Sequence, residues 1–343
     1  MNHLLKILLA ALFVTLFCAG VTAKPVKYYV FFGMDREKLK DASSFLDSKS
    51  FAGGQVAYSW NQLEQGRDGY DFSIIREDLA LLAAKNKRLW IQIQDVSFSE
   101  KYIFVPRYLL RDPQYNGGAD KQYRYKLVDN AETDVTVLGW MARRWDPVVQ
   151  DRFHKLLFAL GKEFDGKIDG INLDETAFEV GETGKLFPKD FTFEKYRDGI
   201  IANMKALKQA FPRSVVMEYA NFMPGEWIPT GDKGYLRSVY KAARDLGVGV
   251  GGPDLLPYKP SQMKHSYPLI RESAGVVATG IAFQDGNYKY VNPNTGKRVT
   301  IAEVIEFAED YLKVDYIFWC TEEPFYSQDL IPFLLKPAKR AKA

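Results

Sequence analysis

The chain has 343 residues, 47% of them hydrophobic, 14% aromatic and 26% charged. Its 46 Lys and Arg are nearly balanced by 43 Asp and Glu, giving a net charge of +3, so it lacks the strong basic bias of a nucleic-acid or anionic-membrane partner. Two cysteines exclude a disulfide-stapled scaffold, and stability must come from a large packed core.

Residues 1–23 carry the layout of a secretory signal peptide: a basic start (Met1 to Lys6), an apolar run (Ile7 to Phe17) and the small-residue site Val21-Thr22-Ala23. The apolar run is shorter than the roughly 20 residues that span a bilayer, which argues against an anchor. Phe17 is too bulky for lipid attachment at Cys18. The expectation is export to the periplasm or the extracellular space. No membrane partner is expected after cleavage, and Cys320 then remains unpaired.

From residue 24 to residue 343, short β-rich runs alternate with helical stretches. The runs are Lys27–Gly33, Gly54–Trp60, Arg88–Gln94, Ile168–Asp174, Ser214–Ala220, Gly247–Gly252, Val276–Phe283 and Asp315–Cys320. They are apolar nearly throughout, as parallel strands covered on both faces should be. Helical periodicity is clearest in Phe72–Lys85, Pro147–Phe164, Phe193–Phe211, Gly234–Leu246 and Ile301–Leu312, with starts at Asp71 and Asp146-Pro147. Eight alternations predict a single (β/α)₈ barrel. An open doubly wound sheet is disfavoured because no Gly-x-Gly-x-x-Gly turn follows an early strand. The basic tail Lys336 to Lys342 reads as a solvated end.

The segment from Val96 to Arg144 is too long for a plain connection. It is rich in Tyr, Phe and Trp, with Arg107 and Arg111 among them, and alternation in Tyr123-Arg124-Tyr125-Lys126-Leu127 predicts a β-excursion. Both a small satellite core and a wall of a substrate cleft fit that composition, and an acidic sugar is compatible with the arginines.

Active sites of such barrels stand at the C-terminal strand ends. Those ends carry Trp60-Asn61, Gln94-Asp95 (with Gln92 before), Asp174-Glu175, Glu218 with Tyr219 and Asn221, Asp254, Gln284-Asp285, and Trp319. Planar amides, carboxylates and indoles suit sugars, which need hydrogen-bond partners, ring-stacking faces and paired carboxyls. Of the 3 histidines, His154 lies mid-helix and His265 in a loop, and no metal, phosphate or nucleophile-elbow motif is present. No cofactor is expected.

The stretch Trp60-Asn61-Gln62-Leu63-Glu64-Gln65-Gly66-Arg67-Asp68-Gly69-Tyr70-Asp71-Phe72-Ser73 resembles the second-strand region of clan A glycoside hydrolases, notably the β-galactosidase-like families. Arg88 to Gln94, Val105-Pro106-Arg107-Tyr108-Leu109, Trp145-Asp146-Pro147 and Ile317-Phe318-Trp319 extend the likeness over most of the barrel. The resemblance implies hydrolysis of an oligo- or polysaccharide, with Glu175 as acid/base. Asp174 stands where that group has an Asn. It also implies a Glu at the end of strand seven, where this chain has Gln284-Asp285. Three readings follow: Asp285 is the second carboxylate, Glu218 is, or the barrel binds glycan without cleaving it. Trp60, Tyr219 and Trp319 would hold the ring, and Asn61, Gln92, Gln94, Asn221 and Asp254 would meet hydroxyls. A chitinase-like reading of Asp169-Gly170-Ile171-Asn172-Leu173-Asp174 fails, because its catalytic Glu would fall on Thr176.

Overall fold

A computed structural model describes residues 25–335, so the segment read as a signal peptide and the basic tail lie outside the described residues. Eight parallel strands close into a barrel: β1 (Lys27–Phe31), β2 (Gly53–Ser59), β3 (Arg88–Gln94), β4 (Gly170–Leu173), β5 (Val215–Tyr219), β6 (Gly249–Gly252), β7 (Thr279–Phe283) and β8 (Tyr316–Cys320). Each strand pairs with its sequence neighbours, and β8 closes on β1 with Val30 opposite Trp319.

The barrel interior is filled by Tyr29, Trp90, Met217, Tyr219, Ala282, Tyr316 and Phe318. Small residues make room for these rings. At Gly170 a β-carbon would lie 2.6 Å from the Trp90 indole, so the strand tolerates no side chain there. Several polar groups inside are paired: Gln55 Nε2 donates to Asn172 Oδ1 (2.9 Å) and to Tyr219 Oη (3.2 Å), and Trp90 Nε1 donates to Asn172 Oδ1 (3.0 Å). The alternate residues, among them Val30, Val56, Ile91, Ile171, Val216 and Ile317, point outward and build the larger core against the helices.

The clearest helices are Ser73–Ala84, Pro147–Phe164, Phe193–Ala210 and Tyr235–Leu246, close to the ranges their periodicity predicts. Asp146 caps its helix by accepting from Val148 N (2.9 Å) and Val149 N (3.3 Å), with Pro147 in the first turn. The stretch after β7 departs from a simple helix: Ile301–Glu306 is α-helical and Phe307–Leu312 is a π-helix. Two short helices, Pro260–Lys264 and Ser266–Ser273, lie between β6 and β7.

The long segment after β3 forms an antiparallel hairpin, Ala119–Val128 with Ala131–Ala142, extended by Val96–Ser97 into a three-stranded sheet. Its turn is Asp129-Asn130, both at positive φ (48° and 58°), the backbone that matches strand twist in a two-residue hairpin loop. The hairpin leans on the loop after β4. Glu132 accepts from Glu182 N (2.8 Å) and Thr183 N (2.7 Å), and Tyr123 N donates to Glu179 O (2.8 Å).

Candidate active site

Glu175 follows β4 and lines a cavity of about 140 Å³ at the barrel mouth, together with Gln92, Gln94, Asp174, Tyr219 and Gln284. Phe31, Phe98 and Phe104 give this cavity an apolar side. Gln92 and Gln94 enter it because they share the inward parity of Trp90 on β3. The buried Gln92 Oε1 has no partner within the protein, which leaves an acceptor for an incoming hydroxyl.

A buried arginine organises the floor. Arg144 binds Asp95 bidentately (2.9 and 2.5 Å), donates to the Glu175 carbonyl (2.9 Å) and reaches Tyr196 Oη (3.2 Å). The guanidinium fork thus fixes the Glu175 backbone while its charge is neutralised by Asp95. Asn221 Nδ2 donates to Glu175 Oε2 (2.5 Å), and its Oδ1 accepts from Ala177 N (3.2 Å).

The electrostatics favour a protonated carboxyl. Burial pushes Glu175 up to about 7; the Asn221 hydrogen bond and Arg144 oppose this, and the charge of Asp254 adds to it. Asp174 lies well above the usual carboxylate range, first through burial and then through the charge of Glu175. Burial also raises Asp254, whose Oδ1 accepts from Asn287 Nδ2 (3.2 Å).

Not every strand-end residue enters the cavity. Trp60 and Trp319, expected to face a sugar ring, are fully buried on the outward side of the barrel. Trp60 packs on Phe153 of the Pro147–Phe164 helix, and its indole N–H donates to Glu64 (2.8 Å). Trp319 packs on Tyr28 and Phe283. Both sit one residue out of phase with the inward set, so no ring face is open to a ligand. Asn61 spends its amide internally, accepting from Ser59 Oγ (2.7 Å) and donating to Ile103 O (2.8 Å). It holds the 103–104 loop that brings Phe104 to the cavity.

The two carboxylates weighed beside Glu175 are placed differently. Glu218 has the outward parity of β5 and is 1% exposed, with neither carboxylate oxygen hydrogen-bonded. Burial pushes it up to about 8, against Arg144. Asp285 is exposed and does not line the cavity. Its carboxylate, Cys320 Sγ and a Glu322 oxygen lie within 4.8 Å of one another. Glu322 is already engaged by Lys289 Nζ (2.5 Å) and Gly286 N (2.6 Å), and burial raises the Cys320 thiol, which disfavours the thiolate that a metal would need. Asp254, by contrast, is the carboxylate outside β4 whose charge bears on Glu175.

No family model matches the sequence, and no curated protein matches it. Solved structures do match the fold. The catalytic domain of β-amylase from Paenibacillus polymyxa aligns at TM-score 0.57 and 9% identity, covering 87% of this chain and 92% of that one. Xylanase 10B from Thermotoga petrophila aligns at 0.51 and 12% identity, covering 86% and 82%. A β-galactosidase from the haloarchaeon Halorubrum lacusprofundi gives 0.52 and 11%, covering 86% of this chain and 52% of that chain. The barrel is of the eight-stranded parallel type seen in these structures. At these identities the likeness concerns the fold.

Proposed function

We propose that the chain is an exported glycoside hydrolase whose general acid is Glu175. The observation that carries this reading is a carboxyl at the C-terminal end of β4, in a cavity with three glutamines, its pKa raised to about 7 by burial and a neighbouring acid. A general acid works best when its pKa lies near the working pH. Glu175 protonates the leaving glycosidic oxygen, Gln92 and Gln94 meet hydroxyls, and Tyr219 borders the ring. Asp254, which follows the cavity-lining Pro253 and whose charge bears on Glu175, is the candidate second carboxylate, to act on the anomeric carbon or on a water, although like Asp285 its own side chain is not part of the cavity lining. A separation near 5–5.5 Å from Glu175 gives retention and roughly 6.5–9.5 Å gives inversion. Glu218 faces away from the cavity and Asp285 is turned to Cys320 and Glu322, so both are weaker choices.

A second reading, a glycan-binding barrel without hydrolysis, is favoured by one observation: β7 ends in Gln284-Asp285, with no Glu at the position the resemblance assigns to the nucleophile. Turnover separates the two. The wild-type protein and Glu175→Gln are assayed on a panel of aryl glycosides differing in sugar and leaving group. Hydrolysis predicts a loss of about 10²–10⁴ for poor leaving groups and a smaller one for nitrophenolates that depart unaided. Equal turnover by the two proteins would remove Glu175 from the acid role.

A further inference from the structure

Beside the Glu175 cavity runs a much larger groove of about 800 Å³. One wall is the hairpin after β3, through Tyr123, Arg124, Tyr125 and Leu127. The other is the loop after β5, through Phe222, Met223, Trp227 and Lys233, and the floor includes Ala177 and Glu179. A volume in the range of roughly 300–1,000 Å³ takes a ligand of several rings rather than one. Asn221 connects the two spaces: its side chain bonds Glu175 on one side and Ala177 on the other, and Phe222 follows it in sequence.

The centre of the groove is a prepared aromatic platform. Trp227 is 52% exposed, and its ring lies parallel to Phe222 (2° between planes, centroids 5.9 Å apart) and against His265 (4.5 Å). The loop that carries it is pinned at several points. Glu226 accepts from Lys233 N (3.0 Å), Tyr235 N (2.7 Å) and Leu236 N (3.0 Å), and Ile228 N donates to His265 Nε2 (2.9 Å). A large exposed indole held in place by buried hydrogen bonds is pre-ordered for a flat apolar face. Around it stand donors and acceptors of both charges, Arg124, Lys233 and Glu179, rather than a continuous apolar stripe.

We propose that this groove binds the further sugar units of an oligo- or polysaccharide whose reacting bond lies at Glu175, with Trp227 stacking on one of those rings. The assignment rests on the glycosidase reading for the position of the reacting bond, but binding in the groove is testable without turnover. The substrate is then a chain of several sugars, and the hairpin after β3 selects for length.

Native electrophoresis is run through gels containing soluble xylan, galactan, β-glucan or starch, with the wild-type chain, Glu175→Gln, Trp227→Ala and Trp227→Phe. Retardation of wild type and Glu175→Gln in at least one gel is expected, with affinity roughly tenfold weaker in Trp227→Ala and largely restored in Trp227→Phe. Retardation of Trp227→Ala equal to wild type, an equal loss in Trp227→Phe, or no retardation of any protein would overturn the proposal. Kinetics supply the second arm: in Trp227→Ala the ratio of kcat/KM on a hexasaccharide to that on an aryl monoglycoside should fall roughly tenfold. An unchanged ratio, with hydrolysis still abolished by Glu175→Gln, refutes the groove and leaves the glycosidase. Trp227-dependent retardation without any hydrolysis refutes the glycosidase and leaves the groove.

Discussion

Replacing Glu175 by Gln should make the protein more stable at alkaline pH, and the size of the effect follows from its surroundings. The folded carboxyl titrates at about 7 instead of its ordinary 4.5, chiefly because burial penalises the charged form. The folded state therefore holds this proton more tightly than the unfolded chain does. The associated stability is fully present below pH 4.5 and is lost as pH rises through 7. At about 1.36 kcal/mol per pH unit the whole loss is on the order of 3 kcal/mol, most of which falls between pH 5 and pH 8.5. Gln mimics the neutral acid and can still accept from Asn221 Nδ2, so it keeps that contact without the ionisation penalty. Urea unfolding at pH 5 and pH 8.5 measures the difference. Relative to wild type, Glu175→Gln should gain on the order of 2–3 kcal/mol between the two conditions. A constant difference at both pH values would mean that Glu175 titrates normally, and the argument for it as an acid would lose its electrostatic basis.

The neighbouring groups give further tests. In Asp254→Asn, removal of the negative charge that raises Glu175 should lower its titration midpoint, read by carbon-13 NMR of labelled glutamate; an unmoved midpoint would separate the two carboxyls. Arg144→Met leaves Asp95 buried without its bidentate partner and should cost about 3–5 kcal/mol in chemical unfolding, and a cost under about 1 kcal/mol would refute the role given to this ion pair. Glu218→Gln should stabilise the fold above pH 8 and do little near pH 5, because the buried acid titrates at about 8 and neither oxygen is hydrogen-bonded. Trp60→Ala should cost about 3–5 kcal/mol through the cavity it leaves against Phe153; a change confined to KM would put this ring back at the substrate.

The barrel was legible because its strands are covered on both faces. Runs such as Tyr316-Ile317-Phe318-Trp319-Cys320 stand out against amphipathic helices, and their ends fall close to the predicted ones. The same property hides which residues face the mouth. In Arg88-Leu89-Trp90-Ile91-Gln92-Ile93-Gln94 polar residues alternate with aliphatic ones, so the inward phase can be read, and Gln92 and Gln94 do line the cavity. In β8 every residue is apolar and no phase shows, so Trp319 reads as well inward as outward, although Tyr316 and Phe318 take the interior. In β5, Val215-Val216-Met217-Glu218-Tyr219 places an acid in an apolar run, and the acid drew attention although Met217 and Tyr219 fill the barrel. Arg144 stood out in the sequence only as the end of the long segment after β3, because its contact with Asp95 spans 49 residues and depends on the hairpin between them. The groove wall was foreshadowed by alternation in Tyr123–Leu127, yet the Trp227 platform had no local signal. Its exposure is set by Phe222, His265 and Glu226, which meet only when the loops after β5 and β6 pack together. Position along a strand thus locates a catalytic end, and phase decides which side chains reach it. Where a strand is apolar on both faces, the phase has to come from the partners across the barrel.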